Sequence, residues 1–307
     1  MKEKIIAPVL FIAFNRPDVT AVAFEYIRRA KPTKLYVALD GARNNKLYED
    51  LICKEVENIV RRVDWDCDVH YKMNNVNKGA EITVSEAISW VFETEEYAII
   101  LEDDIVAPIA FFEFAQEMLF KYKNDDRIGT VSSNNFTPVE MSSNDDYFFA
   151  KYGHSWGWAT WRRAWDEFDL NAEIKEEHLA LSFLKTITNS AREAKYYQEL
   201  FKSMKIRGIG NNTWDFMGLY QHRVNNRLSI LPRVNLSSNI GVFGLHARGE
   251  SKFHNLPFDD SFKIKYYPSK VVCYDAYDQH HFNTHIIGNV TPLYLRILRK
   301  VKRLLNI

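Results

Sequence analysis

Tyr97-Ala98-Ile99-Ile100-Leu101-Glu102-Asp103-Asp104-Ile105 carries a short apolar run directly into three consecutive carboxylates. The run has the length and composition of a strand buried on both faces of a parallel sheet. Side chains alternate along a strand, so Glu102 and Asp104 are expected on one side and Asp103 on the other. Three acids at one strand end repel one another unless a cation joins them. Hard carboxylate oxygens suit Mg2+ or Mn2+, which keep coordination positions open for substrate phosphates. The competing reading is a solvated acidic turn or a helix N-cap after the strand.

Upstream of this segment, short apolar runs alternate with helical periodicity, the sequence form of βαβ units and a mainly parallel sheet. The runs are Val9 to Phe14, Leu35 to Leu39, Val69 to Tyr71 and Tyr97 to Leu101, and the helical stretches are Asp18 to Ala30, Leu47 to Val63 and Ala80 to Glu93. Each strand ends in polar or turn residues: Asn15-Arg16-Pro17, Asp40-Gly41, Asn74 to Gly79, and the acidic triplet. Ligands of open α/β sheets bind beyond the carboxyl ends of the strands, so these loops should line one cleft. Asn77-Lys78-Gly79 opens a helix and offers its amides to an anion, or is simply a turn.

Downstream, a helix is expected from Pro108 to Tyr122 and a strand over Ile128 to Ser132. Helices are then expected over His154 to Phe168, about 176–206 and 213–224, with extended segments at Leu228 to Pro232 and Lys263 to Tyr267. Trp158, Trp161 and Trp165 are spaced three and four apart and read as one buried helical face. Trp156, ahead of Gly157, is left free to wall a binding site, because indole covers apolar C–H faces while its N–H binds hydroxyls. Asn134 and Asn135, just past a predicted strand, are candidate ligand contacts or ordinary turn residues.

The 307 residues are 46% hydrophobic, enough for a full core, and 40 basic residues balance 40 acidic ones. No overall field points to nucleic acid as a partner. Cys53, Cys67 and Cys273 lack metal-ligand spacing and read as free thiols of a reducing, cytoplasmic compartment. No stretch reaches the ~18 apolar residues of a membrane span.

Together, Phe14-Asn15-Arg16-Pro17, Asp40-Gly41, Asn77-Lys78-Gly79, Leu101 to Asp104, the Trp156 to Trp165 block and Trp214-Asp215 resemble the GT-A glycosyltransferases. The sequence is most similar to the inverting N-acetylglucosaminyltransferase I type and to bacterial polysaccharide glycosyltransferases. The resemblance implies a Rossmann-like α/β fold over residues 1–250 with a C-terminal extension, 251–307. It implies a nucleotide-sugar donor, with uridine diphosphate favoured, and a glycan or lipid-linked acceptor. Phe14, Asn15, Arg16 and Asp40 would hold the nucleoside and diphosphate, with Lys78 nearby, while Asn134 and Asn135 would contact the donor sugar and Trp156 would wall its site. Asp104 would ligate Mn2+ or Mg2+, Glu102 and Asp103 would face ribose or support the metal, and His246 would be a late metal ligand.

An inverting displacement also needs a base for the acceptor hydroxyl. Asp215 is the candidate; the family's motif can carry two adjacent acids, and here Phe216 holds the second place. Alternatively, Thr213 caps a helix and Asp215 complements its dipole. A sugar-phosphate nucleotidyltransferase is the runner-up, although it would want a glycine-rich basic loop after the first strand, and a catalytically inactive nucleotide- or sugar-binding scaffold is the third reading. Leu293 to Ile307 sorts its leucines from Arg296, Arg299, Lys300, Lys302 and Arg303 at 100° per residue. It is expected to lie on an anionic membrane surface or to pack on its own domain.

Overall fold

The computed structural model of the chain describes residues 4–141, 143–242 and 251–288. His246 and the expected helix at 293–307 lie outside the described residues.

The first half follows the expected alternation: β1 (Val9–Ala13), α1 (Pro17–Ala30), β2 (Lys34–Leu39), α2 (Glu49–Val60), β3 (Asp68–Met73), α3 (Ala80–Phe92) and β4 (Tyr97–Glu102). Pro17 sits in the first turn of α1, where its fixed φ is already helical and its missing N–H costs nothing. β5 (Ile105–Val106), α4 (Ile109–Lys121), β6 (Ile128–Ser132), β7 (Tyr147–Ala150), β8 (Trp158–Trp161) and the single turn α5 (Arg162–Trp165) come next. The chain continues through α6 (Leu181–Ile187), α7 (Ala191–Arg207), α8 (Trp214–Val224), β9 (Leu228–Pro232), β10 (Ser238–Asn239) and α9 (Asp275–His281).

The main sheet has eight strands in the order β3-β2-β1-β4-β8-β6-β9-β7. The neighbours β3, β2, β1 and β4 are mutually parallel, and β6 and β9 run the same way, whereas β8 and β7 run opposite. Helices cover both faces, giving a mainly parallel, Rossmann-like α/β fold as expected. On one face Phe11, Phe24, Val37, Val56 and Phe111 tie α1, α2 and α4 to the sheet. On the other, Leu10, Ile12, Val84, Ile88, Ile100 and Trp158 pack α3 against it. A further core gathers α6 to α9 on β7 and β9 around Tyr197, Phe201, Met217, Tyr277 and Phe282, so residues from the 251–288 segment are part of the packed interior.

Three expectations need correction. His154 to Phe168 is not a helix: Trp158–Trp161 is a central strand inserted antiparallel between β4 and β6. Residues three apart on a strand face opposite ways, so Trp161 enters the core beneath α4, donating Nε1–H to the Leu119 carbonyl at 3.0 Å, while Trp158 enters the core beside α3. The three-and-four tryptophan spacing imitated a helical stripe that strand pairing overrode. Lys263 to Tyr267 forms no strand, its Lys265 and Tyr266 amides being taken by the Asp146 carboxylate at 2.6 and 2.8 Å. The triplet does not alternate throughout, because the strand stops at Glu102 and Asp103-Asp104 form a turn leading to β5.

Candidate active site

Parallel pairing sets Ile12 of β1 opposite Glu102 of β4, so the loop leaving β1 meets the acidic turn. Thr20 holds the Arg16 backbone, its N–H and its hydroxyl both donating to the Arg16 carbonyl at 3.0 and 2.6 Å. From there the Arg16 guanidinium reaches both Asp103 and Asp104, the latter at 3.0 Å. The Phe14 N–H also donates to Asp103. The Arg16 charge is opposed by burial, but Asp103 and Asp104 outweigh it and hold the guanidinium firmly protonated.

Asp103 and Asp104 thus share one guanidinium, with Glu102 beside them. Burial pushes the Glu102 carboxyl up to about 8, and the charges of Asp104, Asp103 and Asp215 push the same way. Burial also lifts Asp103, to about 6, against the pull of Arg16. Gly241 lies directly on Asp104: a Cβ there would come within 2.2 Å of the Asp104 Oδ2. His246 follows five residues later in the sequence.

Asp40, at the end of β2, is buried and turned toward its own neighbourhood. Its carboxylate accepts from the Gly41, Lys78 and Gly79 amides at 3.0 Å each and from Asn77 Nδ2 at 2.7 Å. The anion held by the amides before α3 is therefore Asp40 itself. Gly41 is required because a Cβ would overlap the Val76 backbone at 2.5–2.7 Å. Lys78 Nζ pairs with Glu86 at 2.5 Å.

Beside it, Asn15 Nδ2 donates to Glu49 Oε1 at 2.8 Å, and Arg43 bonds Glu49 while lying 5.6 Å over the Phe14 ring. Arg43, followed by the Asn15 amide, holds the Glu49 carboxyl down at about 2. Sequence reading missed Arg43 and Glu49; the one available signal was a basic residue three places beyond Asp40 in a strand-end loop.

A cavity of about 440 Å³ is walled by Trp158, Trp214, Asp215, Tyr152, His154 and His281 among others. The Trp214 ring stacks on Trp158 at 6.0 Å and 19° between planes. Asp215 is exposed at its edge, and its charge reaches Glu102. Thr213 occupies the N-cap position of α8, but its hydroxyl donates to Asp215 rather than capping the helix.

Other candidate residues stand apart from this cavity. Asn134 is 1% exposed and donates to Ser237 Oγ at 2.7 Å, while Asn135 donates to the Pro232 and Arg233 carbonyls. Trp156 packs with Phe136 at 5.2 Å and with His254 at 5.3 Å. The structure thus brings Arg16, Glu102, Asp103, Asp104 and Asp215 together, gathers Phe14 and Asn15 next to them, and leaves Lys78, Asn134 and Trp156 in separate settings. The convergence of the cavity's histidines went unnoticed because His154 lies 127 residues before His281 and farther still from His285.

No family model matches the chain, and no curated protein does. Among solved structures it is similar to a mannosyltransferase from Pyrobaculum calidifontis in complex with GDP-Man and Mn2+, at 13% identity over 61% of this chain and 56% of that one, with a TM-score of 0.32. A UDP-glucose pyrophosphorylase complexed with UDP-glucose aligns at 9% identity over 74% of this chain and 90% of that one, TM-score 0.35. A 4-diphosphocytidyl-2C-methyl-D-erythritol synthase from Anaerococcus prevotii aligns at 12% identity over 52% and 73%, TM-score 0.33. The chain spans 56% of the mannosyltransferase's length. Among the described residues, no helix is long and apolar enough to cross a membrane.

Proposed function

We propose that this chain is a metal-dependent inverting glycosyltransferase that moves a sugar from a nucleoside diphosphate, uridine being the favoured base, to a hydroxyl of a glycan or glycolipid. The observation that carries the reading is that Asp215, on the wall of an aromatic-lined cavity, stands near enough to the buried β4 acidic turn for its charge to act on Glu102. Asp103 and Asp104 on one guanidinium leave surplus negative charge even with Glu102 protonated, and carboxylate oxygens are the donors that Mg2+ or Mn2+ accepts. Asp104 would hold the ion, with His246 as a candidate second ligand. When bound, the ion supplies Lewis-acid stabilisation of the departing diphosphate.

The rest falls to side chains. Arg16 orients Asp103 and Asp104 and prevents the turn from splaying. Trp214, half-buried and stacked over the buried Trp158, offers an indole face suited to the C–H face of a sugar. Asp215 accepts the acceptor's proton as its oxygen attacks the anomeric carbon from the face opposite the diphosphate, whose bond to that carbon breaks. The Asn15-Arg16-Pro17 loop weighs against a nucleotidyltransferase, since Arg16 is committed to the acids and the amides preceding α3 are filled by Asp40. A thermal-shift screen of nucleoside diphosphates with and without Mn2+ tests the proposal, because a ligand of the folded state raises its stability by mass action. Metal-dependent stabilisation by one base is expected; stabilisation by a nucleoside triphosphate with a sugar phosphate, and by no diphosphate, would favour the nucleotidyltransferase.

A further inference from the structure

Three imidazoles that line the same cavity as Asp215 converge on one another. His154 follows β7, His281 closes α9, and His285 lies in the π-helical turn Phe282–Ile286 that continues it. Each presents one ring nitrogen, and the three nitrogens lie within 4.8 Å of one another. The rings stand 4.6 to 5.6 Å apart between centroids. Nitrogens bound at ~2.0–2.1 Å to one tetrahedral ion are about 3.4 Å apart, so small ring rotations close the difference.

The surroundings are those of a built site. His281 is fully buried, and its Nδ1 meets the Thr137 hydroxyl at 3.0 Å, which leaves Nε2 to face the other rings. Such a hydrogen bond on the far nitrogen is how metal-binding histidines are oriented. The Nε2 atoms of His281 and His154 are buried and meet no hydrogen-bond partner among the described residues. The His154 backbone is clamped on both sides, its N–H donating to Ser132 Oγ at 2.7 Å and its carbonyl accepting from the same hydroxyl at 3.1 Å. Burial holds all three imidazoles uncharged at neutral pH, the state in which they can donate a lone pair. The nearby Arg223 charge is countered by Glu193 at 3.6 Å and by Asp278.

Cys273, Asp275 and Asp278 form another group of potential ligands among the described residues, but of a different kind. Asp278 there already accepts from the Lys151 amide and the Cys273 thiol, so its oxygens are occupied.

We infer that His154, His281 and His285 form a site for one borderline divalent transition ion, zinc above all, with a fourth position open to the cavity. An all-imidazole set selects zinc, cobalt or nickel over the Mg2+ or Mn2+ that carboxylates prefer. The site is chemically distinct from the acidic turn and does not depend on the glycosyltransferase reading. It joins the β7–β8 loop to the C-terminal helical segment, so the ion would pin two distant parts of the chain.

The test uses the full chain freed of metal by chelation, with Zn2+ or Co2+ as the only added ion. One equivalent of Zn2+ should be retained through dialysis, and Co2+ should give the strong visible absorption of a four-coordinate ion. His154→Ala and His285→Ala should each abolish that absorption, and Thr137→Val should weaken Zn2+ binding by about 10–100-fold. Asp104→Asn should leave stoichiometry and spectrum unchanged. Failure of the wild-type chain to retain Zn2+, a weak octahedral Co2+ spectrum, or loss of the ion in Asp104→Asn alone would each overturn the inference. The wild-type and Asp104→Asn measurements decide the question even if a histidine variant fails to fold.

Discussion

Arg16 bonds two carboxylates at once, and that geometry separates the roles of the three acids. Asp104→Asn keeps volume and removes charge, so transfer should fall to background while the far-ultraviolet spectrum is unchanged; retained metal-stimulated turnover would assign the acids to structure alone. Asp215→Asn should lower turnover by about 10²–10⁴, the usual contribution of a positioned base, with donor affinity kept. A collapse of donor affinity instead, measured by titration calorimetry, would make Asp215 a donor-side residue. The close Thr213 hydroxyl steadies the Asp215 carboxylate, which gives it a defined position despite its exposure.

At the scale of elements, the loop between β3 and α3 has one organising group. The Asp40 carboxylate collects three backbone amides and the Asn74 and Asn77 side chains, so its removal leaves several inward-facing donors without partners. Asp40→Ala should cost about 2–4 kcal/mol in urea unfolding, in the range expected when buried donors lose a charged acceptor. A loss under 0.5 kcal/mol would mean water replaces the carboxylate. The β8 strand shows the same dependence on long-range pairing: Trp161 is 1% exposed and hydrogen-bonded to α4, yet local spacing alone reads it as helical.

For the whole molecule, the acidic turn makes stability depend on pH in a direction that can be stated. The folded chain holds the Glu102 carboxyl near 8 against an ordinary 4.5, mainly through burial. A carboxyl raised on folding contributes fully below its unfolded value and loses that contribution as pH rises to the folded one. The metal-free chain should therefore lose melting temperature between about pH 5 and 8 relative to Glu102→Gln, in which the titration is absent. Mn2+ should restore the difference at pH 8. Parallel curves for the two chains would show that Glu102 is not its source. Below about pH 6.5 the partly buried His154 and His285, held down near 3 and 4 by desolvation, act oppositely: protonation favours the unfolded chain, so their contribution is lost as pH falls.

Composition and local pattern determined the α/β class, the first four strands with their three crossover helices, and the acidic turn at β4. These features are set by period, by apolar run length and by turn residues, all of which act within about a dozen positions. Tertiary structure alone decided that Trp158–Trp161 is a strand, because a central antiparallel position is set by strands 60 residues upstream and 30 upstream rather than by its own spacing. It decided that Asp40 faces inward to hold the loop preceding α3, and that Arg16 spans two acids 87 and 88 residues away. It also brought His154 to His281 and His285, a convergence invisible to any local pattern because only packing sets distances between residues so far apart in the chain.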